Sequence, residues 1–187
     1  MSGGDSQTQI LDAVQAVIVR DGVRGASMRQ VAQEADVSLG LLSYHFDDKE
    51  SLIVAAFERA TARLREASEQ AMADITDPRE RVRGFLRGAF SDEFLDGDYL
   101  RLRISLWAVA LTDDSVAAVD ARFFEEYAEE FRTLIADARP DLSTEAVRSR
   151  AIDAIALSNG IWLNWARYAN ADDLELGLQR CEEIALG

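Results

Sequence analysis

Apolar residues return at helical spacing along almost the whole chain, and strand-like alternation never persists over a useful length. The pattern predicts an all-α protein. Ile10, Leu11, Val14, Val17 and Ile18 form one stripe, marking an amphipathic helix over about residues 7–21 that Gly22 closes. Ser27 with Gln30 three residues on is a capping-box signature, and Met28, Val31, Ala32 and Ala35 give the short helix behind it a buried face. Asp36 and Val37 read as a tight turn. Ser38 then caps a third short helix that reaches about His45. Asp47 with Glu50 reads as the start of a long helix to about residue 75, with a stripe of Ile53, Ala56, Phe57, Ala60, Leu64, Ala67 and Ala71. Such a helix is roughly 40 Å long at about 1.5 Å per residue.

Beyond it, Asp77-Pro78-Arg79-Glu80 combines an N-cap, a proline in the first turn and an acid at the third position. That helix is expected to reach about residue 95. Others are expected over residues 99–111, from 113 or 114 to just before Pro140, from Ser143 to about 169, and from 172 to about 186. No period of 20–50 residues repeats, which disfavours a solenoid. The organisation read from the pattern is an N-terminal three-helix, helix-turn-helix domain over residues 1–50 and a C-terminal helical bundle over residues 51–187.

Composition narrows the chemistry. With 187 residues, 48% apolar and 29% charged, the chain suits one or two compact soluble domains. It has no early apolar run of signal-peptide type and no 18 consecutive apolar residues, so a cytoplasmic protein without a membrane span is expected. Cys181 is the only cysteine, which excludes a disulfide within the chain and a cysteine-based zinc site. His45 is the only histidine, which excludes a di-iron site of paired Glu-x-x-His motifs. A Ser-His-Asp hydrolase would have to use His45, and no Gly-x-Ser-x-Gly elbow accompanies it. No metal, no cofactor and no enzyme activity are expected.

The net charge of −14 opposes nucleic-acid binding. Residues 1–50 carry only Arg20, Arg24, Arg29 and Lys49 against Asp5, Asp12, Asp21, Glu34, Asp36, Asp47, Asp48 and Glu50. Contacts depend on local placement, however, and residues 27–53 are laid out as two short helices separated by a tight turn. That is the helix-turn-helix plan, whose second helix enters the major groove. Val31, Ala32, Val37, Leu42 and Phe46 can lock these helices onto the first. Gly40 lets the backbone approach a duplex. Ser38 aims a hydroxyl and a helix N-terminus at a phosphate, and Tyr44 and Lys49 can bracket a second one.

Residues 8–53 resemble the DNA-binding domain of the TetR family. The likeness lies in an amphipathic first helix, a glycine before the second, Arg29-Gln-Val-Ala, then Val37-Ser-x-Gly, then Tyr44-His-Phe-x-x-Lys-Glu-x-Leu52. The resemblance implies a recognition surface of Arg29, Ser38, Leu39, Gly40, Leu41, Ser43, Tyr44, His45 and Lys49. Asp36 departs from the family's usual turn glycine, and Ser43 from its common tyrosine. Leu39 and Leu41 can meet thymine methyl groups but make no bidentate base contacts. The function implied is a ligand-responsive repressor that binds a palindromic operator in double-stranded DNA as a homodimer. The alternative is a helical adaptor of the same fold that does not bind DNA.

The remainder matches no catalytic motif. The stretches around Tyr99–Ala108 and Ser158–Trp165 are similar to the BetI-type branch of the family, whose best-known member responds to choline. Aromatic residues are dense here. They either fill the core or include a pocket of Trp107, Phe123, Tyr127, Trp162 and Trp165, whose rings would suit a cationic small-molecule effector in an acidic protein. The family's dimer surface would fall on Ala151, Ile155, Ala156, Asn159, Gly160 and Leu163, a ridge of mostly small apolar residues.

Overall fold

The computed structural model describes residues 3–187, with side chains from Ser6 onward, and is helical throughout, with no strand among the described residues. In chain order the helices are α1 (Gly3–Gly25), α2 (Met28–Glu34), α3 (Leu39–His45), α4 (Lys49–Met72), α5 (Pro78–Gly88), α6 (Asp92–Leu95), α7 (Gly97–Ala110), α8 (Asp114–Ala138), α9 (Thr144–Tyr168) and α10 (Ala171–Leu186). None is long and apolar enough to cross a membrane.

The chain folds as two compact units. The first comprises residues 1–62 with 101–122, and the second residues 63–100 with 123–187. The division therefore departs from a single cut near residue 50. Helices α4, α7 and α8 are long enough that each supplies residues to both units.

In the first unit, the stripe read from α1 is the core: Ile10, Val14, Val17 and Ile18 are buried with Val31, Ala32, Ala35, Leu42, Phe46, Leu52, Ile53, Ala56, Phe57 and Ala60. Leu102, Leu106, Val116 and Val119 complete it. A fully buried Phe57 or Leu42 is worth about 1.5–3 kcal/mol of apolar transfer, so this core holds the short helices that have little stability alone. Gly22, at φ 72°, interrupts α1 where the sequence placed its end. Ser27 accepts from the Gln30 N–H and donates to the Gln30 side chain, so the cap forms as expected. Asp36 takes the left-handed conformation (φ 50°) in the turn, standing in for the usual glycine.

Several boundaries differ from the sequence reading: α1 runs Gly3–Gly25 rather than over about residues 7–21, α4 ends at Met72 rather than near 75, and α7 starts at Gly97 rather than 99. The cap of α4 is Asp48 rather than Asp47. Its carboxylate accepts from the Ser51 N–H at 2.8 Å, and the Ser51 hydroxyl accepts from the Asp48 N–H at 3.2 Å. Hydrogen bonding from the Ser51 N–H first, and from the Ser51 side chain, holds the Asp48 carboxyl below its ordinary pKa. The helix expected to run on to residue 95 stops at Gly88, and Ser91 starts the separate turn of α6. The break lets both Phe90 and Phe94 reach the core.

In the second unit, Phe85 stacks on Phe131 (5.1 Å between centroids) and packs on Tyr127 (4.6 Å), while Phe90 and Tyr99 meet Trp162 edge-on. Helix α5 lies against α4 at two glycines. A Cβ on Gly88 would stand 3.0 Å from Ser68 Cα and 3.1 Å from Ala71 Cβ, and one on Gly84 3.0 Å from the Ala71 carbonyl. On the other side α5 is tied to α10, where Arg87 pairs with Glu175 and Glu182.

Candidate nucleic-acid interface and aromatic core

Helix α3 has one locked side and one open side. Leu42 is fully buried and Phe46 closes the helix against the core. Opposite them, Ser38, Leu39, Gly40, Ser43 and Tyr44 are exposed, with Leu39 at 45% and Tyr44 at 82%. Leu41 and His45 are half-buried. The Ser38 hydroxyl accepts from the Leu41 N–H at 3.1 Å, which leaves its own O–H to donate outward. Nothing but that hydroxyl lies within 4 Å of the place a Cβ on Gly40 would occupy. The His45 ring meets the Tyr44 ring edge-on at 5.3 Å. Arg29 is exposed on α2. Eight of the nine residues expected at the duplex are thus open or half-open side chains of α2, α3 and the turn between them.

Lys49 stands apart. Its ammonium donates to the carbonyls of Val23 at 2.6 Å and Arg24 at 3.2 Å, so two of its three N–H groups are committed to the end of α1. The amine is fixed within the fold, whatever it meets outside.

The acidic balance of the head resolves into local pairs. Arg20 bridges Asp21 (3.0 Å) and Glu34 (2.7 Å), and Arg59 binds Asp12 and the Thr8 carbonyl. The Asp48 carboxylate is occupied at its helix cap. Among the described residues, Arg24 and Arg29 are the cations of residues 6–50 held in neither an ion pair nor a side-chain cap. Arg24 was not singled out from sequence. Its position after the Gly22 break, one turn before the Ser27 cap, is the signal that marks it.

The five aromatic residues of the expected pocket are divided between the two units. Trp107 belongs to the first unit, where the buried Arg103 guanidinium (6% exposed) lies 5.1 Å from its ring centroid. That face of the indole already holds a cation of the protein. Asp120 lies near both. Burial raises its carboxyl pKa, against the pull of the Arg103 charge and a hydrogen bond from Trp107. Phe123, Tyr127, Trp162 and Trp165 belong to the second unit. Trp162 is buried among Phe90 and Tyr99, Tyr127 sits between Phe85 and Phe123, and the Trp165 indole N–H donates to the Leu95 carbonyl at 2.9 Å.

The ridge read on α9 also divides. Ala151 and Ile155 are buried in the second unit's own core. Ala156, Asn159 and Leu163 face outward, and Gly160 is half-exposed. Ile152, 47% exposed, joins the outward set, which the sequence reading missed. The spacing 152, 156, 159, 163 is the signal for it, one residue out of phase with the inward face.

Comparison with known proteins agrees with this geometry. Residues 10–56 match the family described as bacterial regulatory proteins, tetR family, and residues 78–185 match the BetI-type transcriptional repressor C-terminal family. The HTH-type transcriptional regulator BetI of Stenotrophomonas maltophilia is 27% identical over 160 residues, covering 83% of this chain and 78% of that protein. BetI of Pseudomonas aeruginosa PAO1 is 26% identical over 178 residues, covering 92% and 87%. Among solved structures, a protein assigned as a transcriptional regulator from P. aeruginosa PAO1 superposes with a TM-score of 0.87 at 25% identity, over 98% of this chain and 90% of that one. A Saccharomonospora viridis regulator crystallised with choline shares the fold, with a TM-score of 0.80 at 15% identity over 96% and 95%. With a helix-turn-helix whose recognition helix is open to solvent and a C-terminal part matching the BetI-type repressors, the chain belongs to the TetR family of bacterial transcriptional regulators.

Proposed function

We propose that this chain is a homodimeric, effector-responsive repressor that reads a palindromic operator through the open side of α3. The observation that carries the reading is the pairing of a locked and an open side on that one short helix. Leu42 and Phe46 fix it, while Ser38, Leu39, Gly40, Ser43 and Tyr44 face outward without being needed by the core. Arg29 and the helix N-terminus supply phosphate contacts, which set register. Leu39, Leu41 and Ser43 meet base edges. Selection of duplexes from a random-sequence library by the purified protein tests this. The expected result is an enriched palindromic site to which Tyr44→Ala binds about tenfold more weakly. Failure to enrich any duplex would instead support the adaptor reading.

The dimer is assigned to the outward face of α9, which carries Ile152, Ala156, Asn159, Gly160 and Leu163. Ala151 and Ile155 support that face from beneath.

The effector is assigned to the aromatic interior of the second unit, among Phe123, Tyr127, Trp162 and Trp165. Ring faces there attract an organic cation, and a regulator of this fold has been crystallised with choline. Trp107, with its face already covered by Arg103, is left out of the assigned set. An effector must favour the geometry that does not fit the operator, because equal affinity for both shifts nothing. Quenching of tryptophan fluorescence by quaternary ammonium compounds or polyamines is expected below millimolar concentration. A flat titration removes the cationic assignment.

A further inference from the structure

Lys49 is the only lysine in the chain, and its ammonium is spent in an unusual place for a residue on a DNA-reading head. Its two acceptors, the Val23 and Arg24 carbonyls, lie in the last turn of α1, between the break at Gly22 (φ 72°, ψ 171°) and Ser27, the cap of α2. These are carbonyls at a helix end, where few backbone partners are available and the peptide dipoles favour a cation. Of the two, Val23 also accepts from the Ala26 N–H at 3.2 Å. On its own side Lys49 is the first residue of α4, held directly behind the Asp48–Ser51 cap. Everything between the two ends of this contact is α2, α3 and their turns. The side chain therefore closes a loop around the entire helix-turn-helix.

Two further ties run along the same pair of helices. The Gln15 amide donates to the Ala56 carbonyl at 3.3 Å, and Arg59 donates to the Thr8 carbonyl at 3.0 Å. Gln9 donates to the Ala35 carbonyl at 2.7 Å and so holds the far end of α2. Lys49 is the tie that lies where the chain enters and leaves the reading motif.

We propose that Lys49 is a positioning residue: it latches the start of α4 to the turn before α2 and so sets the attitude of α3, rather than binding a phosphate itself. This rests on the DNA-reading role assigned to α3. Without the latch the hydrophobic core still holds α2 and α3, and the exposed surface keeps its composition, but its aim is looser. Base contacts need register, whereas general attraction to phosphates does not. Loss of the latch therefore lowers affinity for the operator and leaves affinity for arbitrary DNA in place.

The test uses the full-length protein, the duplex that the wild type enriches from a random library, and a scrambled duplex of equal length, titrated at several salt concentrations. Lys49→Gln is expected to bind the enriched duplex about tenfold more weakly, on the scale of one charge-assisted hydrogen bond. It is expected to bind the scrambled duplex unchanged, keep the salt slope of the wild type, and melt about 2–4 °C lower without DNA. Lys49→Arg is expected to recover most of the loss. An equal fall on both duplexes, with a slope shallower by about 0.9 per head, identifies a phosphate ligand and overturns the latch. Unchanged affinity and melting overturn it as well.

A measurement on the wild type keeps the proposal testable if Lys49→Gln fails to fold. The single lysine gives a single side-chain ammonium signal in nitrogen-15 NMR. The latch predicts a hydrogen-bonded signal before DNA is added that does not move on binding, whereas a phosphate ligand shifts it. If the wild type enriches no duplex at all, the DNA-reading assignment fails and the latch proposal falls with it. If it enriches one and Lys49→Gln behaves as a phosphate mutant, only the latch fails.

Discussion

Ala169 ends α9 in the left-handed region, at φ 47°, with its N–H on the Trp165 carbonyl at 2.9 Å. A Cβ makes that conformation costly, and glycine removes the cost. Ala169→Gly is therefore expected to stabilise the protein by about 1 kcal/mol, read as a higher urea midpoint with the slope of the transition unchanged. A lower midpoint contradicts the strain assigned here. Asp36 occupies the same region in the turn between α2 and α3, and there the sequence announced it, because an aspartate stands where glycine is usual. Ala169 carried no such announcement. Alanine is an ordinary helix residue, and only the end of α9 reveals what is asked of it. Lys49 shows the same limit. A lysine at the start of a helix is legible as a charge, but its acceptors are backbone carbonyls some 25 residues away, and carbonyls have no residue type to read.

At the scale of elements, the caps were largely legible. Ser27, Ser38, Asp77 and Ser143 each accept from a backbone N–H at the start of the helix they were expected to open. The one-residue error at α4 has a plain origin: Asp47 and Asp48 are adjacent, and each has a polar partner three residues on. The break after Gly88 was hidden for another reason. Apolar residues continue through Phe90 and Phe94 with no proline between, and only the packing of α5 against α4 shows that the glycine is a point of contact. Gly88→Ala drives a methyl group into Ser68 and Ala71 and is expected to cost about 1–3 kcal/mol. Gly97→Ala, with nothing within 4 Å of the new carbon, serves as the control and is expected to be near neutral. Thermal unfolding of the two variants side by side measures the difference; equal melting temperatures would mean that α4 and α5 are not in close contact.

At the scale of the whole molecule, the all-α class and the helix-turn-helix followed from periodicity and one 45-residue pattern, whereas the division of the aromatic residues between two units did not. Periodicity reports which side of a helix is apolar and is silent on which core receives it; Trp107 and Trp162 look alike in sequence and pack in different units. The same silence placed Ala151 and Ile155 on an outer surface. The outward patch on α9 makes a specific prediction for assembly. Ile152→Glu combined with Leu163→Glu is expected to yield a folded monomer at micromolar concentration in sedimentation, with operator affinity reduced about 100-fold or more as paired half-site binding is lost. A dimer that persists would move the interface elsewhere. The ion pairs of the head carry a last implication, for life inside a crowded chromosome. Arg20 and Arg59 are consumed in offsetting Asp12, Asp21 and Glu34, so little positive charge remains to cling to arbitrary sequence. For a chain that reads an operator as proposed, unrelated DNA is then a poor sponge. Occupancy of the proposed operator is then expected to follow base sequence far more than the amount of other genome that competes for it.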